Sequence, residues 1–190
     1  MAHSATVLQL FLGGSSYRRL TEAAENQSIF KNGHELGLTH EEALAIYAYS
    51  TEPNTKEATY VRINQFLRQN RSTTPDIDQA YGLLLQKALF KLPIYVGWTQ
   101  RNATLPPHVL EKIDQLGQFV DPAFLSSSRG ESPFEGNDVF ILYSRTGRNI
   151  SSLSRFQGET EILYLPNTYF SVQRFGRDEK GCIIYAKEVE

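Results

Sequence analysis

The two halves of this 190-residue chain carry different hydrophobic periods, and that segregation restricts the fold more than any other feature. In the first half, apolar residues recur at helical spacing. Thr39-His40-Glu41-Glu42 is a capping box, with Thr39 as N-cap, and the helix it opens aligns Leu44, Tyr47 and Ala48. A second helix, over about 56–69, groups Tyr60, Ile63 and Leu67. After Thr74-Pro75 a third, over about 77–89, groups Ile77, Ala80, Tyr81, Leu84 and Ala88. The second half reads as short strands at 94–96, 123–127, 138–144, 161–165, 169–175 and 182–189, most of them parted by Gly, Pro or Asn. One short helix runs from Pro106-Pro107 to Leu116. Helices followed by strands predict an α+β domain.

Residues 1–20 read as a flexible N-terminal arm: an apolar patch from Val7 to Leu12, then Gly13-Gly14-Ser15-Ser16, then Arg18-Arg19. Residues 21–190 are then a single domain. The patch has no basic residues before it, so it makes a poor secretory signal. No apolar run approaches the ~20 residues that cross a bilayer. A net charge of −2 speaks against a nucleic-acid partner. The one cysteine, Cys182, excludes an internal disulfide, and its apolar neighbours Ile183-Ile184 mark it as a core thiol rather than a nucleophile. Four scattered histidines give no metal-binding pattern.

Chemistry concentrates in Gly158-Glu159-Thr160-Glu161-Ile162-Leu163-Tyr164-Leu165-Pro166. On a strand, Glu159 and Glu161 project from one face and Thr160 from the other. Two carboxylates so placed repel unless they meet a cation, and the planar fork of a guanidinium matches them best. The pair therefore points to a ligand that presents an arginine. It does not suit glycoside hydrolysis, whose two carboxyls must flank the scissile bond.

Four segments in order resemble the mono-ADP-ribosyltransferase family, in its Arg-Ser-Glu branch with a Glu-x-Glu motif. They are Leu92-Pro93-Ile94-Tyr95-Val96-Gly97, Asp121-Pro122-Ala123-Phe124-Leu125-Ser126-Ser127-Ser128, the run from Gly147 to Gln157, and the glutamate motif itself. Ala45-Ile46-Tyr47 followed by Tyr60 to Arg68 is similar to the family's helical part, and the likeness spans roughly residues 35–189. It implies N-terminal helices packed on a two-sheet β core, NAD as the ADP-ribose donor, and an arginine of a host protein as the acceptor. It further implies a bacterial type III effector of plant pathogens, a virulence protein secreted into the host cell. By the same resemblance Glu161 would stabilise the ribosyl cation and hold a ribose hydroxyl, while Glu159 would orient and deprotonate the acceptor guanidinium. Ser126 would fix the rotamer of Glu161, and Phe156 would help present the acceptor. Tyr95, Gly97, Phe124 and Ser127 would line the NAD site, with no metal.

The chain departs from the family at one point. The first strand of relatives carries an aromatic-Arg-Gly triplet whose arginine grips the NAD phosphates, and here the triplet is Tyr95-Val96-Gly97. Losing one charge-assisted hydrogen bond, worth ~1.5–3 kcal/mol, weakens binding ~10–150-fold. Two functions stay open: an NAD-dependent arginine transferase, or a degenerate one with weak or absent NAD binding that serves as a module for an arginine-bearing segment. Arg101, five residues beyond Val96, is a guanidinium that a loop could turn inward. The Arg18-Arg19 arm is a candidate occupant of the acidic pocket.

Overall fold

The computed structural model describes residues 4–51, 59–69, 76–130, 135–158 and 160–189. The chain divides into two compact units, Met1–Pro93 with Ile150–Gly158, and Ile94–Asn149 with Glu159–Glu190.

The first unit is helical. Helices α1 (Ser4–Leu12) and α2 (Gly14–Asn26) meet at Gly13, whose φ of 80° is the left-handed turn that breaks one helix and starts the next. Then come α3 (Ile29–Glu35), α4 (His40–Tyr49), α5 (Thr59–Arg68) and α6 (Ile77–Lys91). The expected capping box opens α4: the Thr39 side chain accepts from the Glu42 N–H, and the Glu42 carboxylate accepts from the Thr39 N–H at 2.9 Å. Every residue from Glu42 to Tyr49 is buried, which makes α4 the central helix of the unit. Glu42 is buried as an ion, held by Lys91 at 2.7 Å and Lys87 at 3.3 Å. Burial pushes its carboxyl pKa up, but Lys91, the Thr39 N–H and Lys87 together hold it below the usual value.

Residues 4–20 are a correction to the expected arm. Val7, Leu8, Phe11 and Leu20 are buried, and α1 packs on α2, α4 and α6. The Phe11 ring stacks on Tyr81 at 4.0 Å, and Arg62 lies over it at 4.2 Å while donating to the Phe11 carbonyl and pairing with Asp78. Arg18 and Arg19 sit within α2, with Arg18 Nε donating back to the Gly14 carbonyl at 3.4 Å. The glycine pair hides a helical stripe from a reading that weighs glycine as a breaker. Residues 56–58 of the expected second helix lie outside the described residues. No helix of the described residues is long and apolar enough to cross a membrane.

The second unit carries β1 (Gly97–Ala103), α7 (Pro107–Leu116), β2 (Gln118–Val120), β3 (Leu125–Ser128), β4 (Asp138–Ser144), β5 (Arg148–Asn149), β6 (Glu161–Tyr164), β7 (Tyr169–Asp178) and β8 (Gly181–Glu188). They form one eight-stranded sheet in the order β2-β7-β8-β4-β1-β3-β6-β5, antiparallel except for β4 beside β8. This differs from the two-sheet expectation, with a physical qualification: β1 and β3 are joined through a single register pair, Gln100 with Ser128. Strict alternation on β4 and β8 sends Phe140, Leu142, Cys182, Ile184 and Ala186 into a core closed by Leu110 and Ile113 of α7. Cys182 is the core thiol expected of it, its pKa raised by burial.

The strand expected at residues 94–96 is displaced. Ile94 makes only an isolated bridge to Arg148, and β1 begins at Gly97. Gly97 has a φ of 151°, so the chain turns there before it can join the ladder. The ladder residues Gly97 to Ala103 are mostly polar and lack an apolar alternation, which conceals them in the sequence.

Candidate active site

The antiparallel pair β3–β6 brings the serine run to Glu161. Ser128 stands opposite Glu161, Ser127 opposite Ile162 and Ser126 opposite Leu163. Alternation puts Ser126, Ser128 and Glu161 on one face of the sheet and Ser127 on the other. All four are buried, Glu161 with 7% of its surface exposed. Ser128 Oγ shares a 3.0 Å hydrogen bond with Thr160 Oγ1 and accepts from the Gly130 N–H. By register Ser128 is the direct cross-strand partner of Glu161. The expected Ser126 is the diagonal neighbour, and such neighbours stand about 7–8 Å apart. Sequence reasoning missed Ser128 because pairing register is not written in either strand alone.

Ser127 does not line this face. Its hydroxyl donates to the Ile162 carbonyl at 3.3 Å, on the core side, beside the 2.8 Å contact of Thr99 Oγ1 with the Tyr164 hydroxyl. Burial raises the Tyr164 pKa, while hydrogen bonds from Thr99, Ser144 and Ser127 pull it back. Phe124 is likewise fully buried, so neither residue offers a surface to a ligand. The resemblance groups Ser126 and Ser127 in one site, whereas strand parity divides them between two environments.

The Tyr95-Val96-Gly97 triplet is fixed by its backbone. The Tyr95 N–H donates to the Gly147 carbonyl at 2.7 Å, and its carbonyl accepts from Ser144 Oγ at 3.0 Å. The Tyr95 hydroxyl donates to the Trp98 carbonyl at 3.1 Å, which folds the ring back over Gly97. A Cβ at Gly97 would stand 2.8 Å from that hydroxyl. Val96 is 61% exposed and presents no polar group. Arg101 is on β1 rather than in a loop, and its Nη1 donates to the Ser126 carbonyl at 2.8 Å. The guanidinium carbon of Arg129 lies 5.8 Å from the Tyr95 ring centroid.

Phe156 belongs to the helical unit, within Ile150–Gly158. It is half-buried, and its N–H donates to the buried Ser154 hydroxyl at 3.3 Å. The Arg155 N–H next to it donates to Ser50 Oγ at 2.8 Å. Glu159 lies outside the described residues. Among the described residues no group of three or more His, Cys, Asp or Glu could hold a metal ion.

The family model of NAD:arginine ADP-ribosyltransferases matches residues 18–190. This chain belongs to that family. An NAD(+)–protein-arginine ADP-ribosyltransferase of Serratia proteamaculans, Tre1, is 36% identical over 144 residues, covering 75% of this chain and 31% of Tre1. The chain thus spans about a third of the length of that relative. Among solved structures, the ADP-ribosyltransferase HopU1 of Pseudomonas syringae pv. Tomato superimposes with a TM-score of 0.81 over 100% of this chain and 98% of its own, at 17% identity. The type III effector XopAI of Xanthomonas axonopodis pv. citri gives 0.77 over 100% and 84%, at 18% identity. These two likenesses are of fold, and the fold is the α+β ADP-ribosyltransferase fold that the sequence implied.

Proposed function

We propose that this domain transfers ADP-ribose from NAD to an arginine of a partner protein. One observation carries the reading: a carboxylate, Glu161, is buried opposite a serine hydroxyl at the head of β6, inside the segment that matches the arginine-directed family. The donor set suits NAD, with hydroxyls and a carboxylate for ribose and the half-exposed rings of Tyr95 and Trp98 for an aromatic base. NAD, when bound, supplies the ADP-ribosyl group and leaves as nicotinamide.

Glu161 would accept a hydrogen bond from a ribose hydroxyl and set a full negative charge beside the carbon that becomes positive. Such charge is effective because it is fixed in advance and shielded from water. Ser128 and Ser126 would restrain the glutamate side chain from the neighbouring strand. Glu159 would receive the acceptor guanidinium and take its proton, since a protonated arginine is a poor nucleophile. Phe156, five residues before Glu161, would contact the acceptor. The fold likeness to a type III effector supports delivery of the domain into a host cell.

Val96 favours a second reading, a module that binds an arginine segment without turning NAD over. Nicotinamide release and ADP-ribosylation of agmatine, a small guanidinium acceptor, separate the two. The transferase reading expects both activities in the wild type and a loss of about 100-fold or more in Glu161→Gln. Arginine peptide binding with no nicotinamide release would establish the module instead.

A further inference from the structure

NAD carries a diphosphate, and the β3 residues that share the face of Glu161, Ser126 and Ser128, offer it hydroxyls and no cation. The arginines near this face differ in what they are free to do. Arg101 holds the Ser126 carbonyl. Arg148 stands opposite Leu163 on the same face, but it is buried and under the charge of Glu188. Arg129 is exposed, and the ion pairs of the described residues, Arg62–Asp78 and Lys87 and Lys91 with Glu42, do not involve it. Its N–H donates to the Thr160 carbonyl at 3.0 Å, which places its backbone beside the residue that precedes Glu161. Its guanidinium lies 5.8 Å from the centroid of the Tyr95 ring, and that ring is tied to the Trp98 carbonyl. A guanidinium at that distance from an aromatic ring is drawn to it while its donors stay available.

We propose that Arg129 binds the diphosphate of NAD, supplying from the end of β3 the guanidinium that Val96 does not. The assignment rests on the transferase reading above and adds a residue to it. Planar donors engage two phosphate oxygens together, and a side chain already confined by a ring loses less freedom when the anion arrives.

The test is a set of titrations by calorimetry with NAD, ADP and adenosine, using wild type, Arg129→Gln and Arg129→Gln combined with Val96→Arg. Arg129→Gln should weaken NAD and ADP about tenfold or more and leave adenosine unchanged. Val96→Arg should restore most of that loss. Unchanged NAD affinity in Arg129→Gln overturns the proposal, and so does equal weakening of adenosine, which marks a structural role. Wild-type protein that binds neither NAD nor ADP overturns it as well. Nicotinamide release by the wild type judges the transferase reading separately. Release with an Arg129→Gln affinity equal to wild type sinks the arginine alone, and ADP binding that depends on Arg129 without release sinks the transfer alone.

Discussion

Replacing Phe11 by alanine tests whether the amino-terminal helix is part of the folded unit. Phe11 is 3% exposed, stacked on Tyr81 at an interplanar angle of 3°, and covered by the Arg62 guanidinium. Truncating a buried phenylalanine costs about 3–5 kcal/mol, the transfer of the ring plus the cavity it leaves. The half-exposed Arg62 guanidinium over the ring face adds about 0.5–1 kcal/mol. The cavity cannot close easily, because α1 is also held through the Phe11 carbonyl by Arg62, which is anchored to Asp78. The expected loss is therefore about 4 kcal/mol, a large part of the 5–15 kcal/mol typical of a domain. Leu10, next door but 66% exposed, is the control, and its alanine variant should stay within about 0.5 kcal/mol of wild type. Urea denaturation followed by circular dichroism reads both, with a common slope required for the comparison. Equal midpoints for the two variants would mean that α1 is not docked as described, and the flexible-arm reading would return.

Two further outcomes follow from the geometry. Ser127→Ala and Ser128→Ala should each cost about 1 kcal/mol of stability for the hydrogen bonds lost, but only Ser128→Ala should lower ADP-ribose transfer; activity and urea midpoints compared side by side decide it. Glu42 has a folded pKa below its unfolded value, so its contribution is complete above the ordinary glutamate range and is lost as pH falls through the folded pKa. Urea midpoints measured from pH 7 to pH 3 should therefore drop more steeply in wild type than in Glu42→Gln, and parallel profiles would refute the assignment.

The sequence was most legible where local chemistry decides structure. The Thr39–Glu42 box marks the start of α4 because both hydrogen bonds close within one turn. β4 is recovered at Asp138–Ser144 because its burial alternates without a break. The family resemblance singled out Glu161 and the serine run, and β3 and β6 pair those two segments. What stayed hidden depends on distant parts of the chain. The helices on either side of Gly13 are stabilised by tertiary burial that outweighs two glycines. β1 is a strand through its pairing with β4, not through its own pattern. The separate fates of Ser126, Ser127 and Ser128 depend on register, and the destinations of Arg101 and Arg129 on long side chains that reach across strands.

The lone pair between Gln100 and Ser128 gives the sheet a fold line. On one side lies the large strand group, and on the other the short group β3-β6-β5, which carries the serines and Glu161. The fold line does not divide the core behind it: Ile162 and Tyr164 of β6 pack with Leu110, Ile113, Phe140 and Phe170, and Tyr164 meets Thr99 of β1 at 2.8 Å. Opening along the line would expose those side chains, so the strand that bears Glu161 comes away only when the shared core gives way.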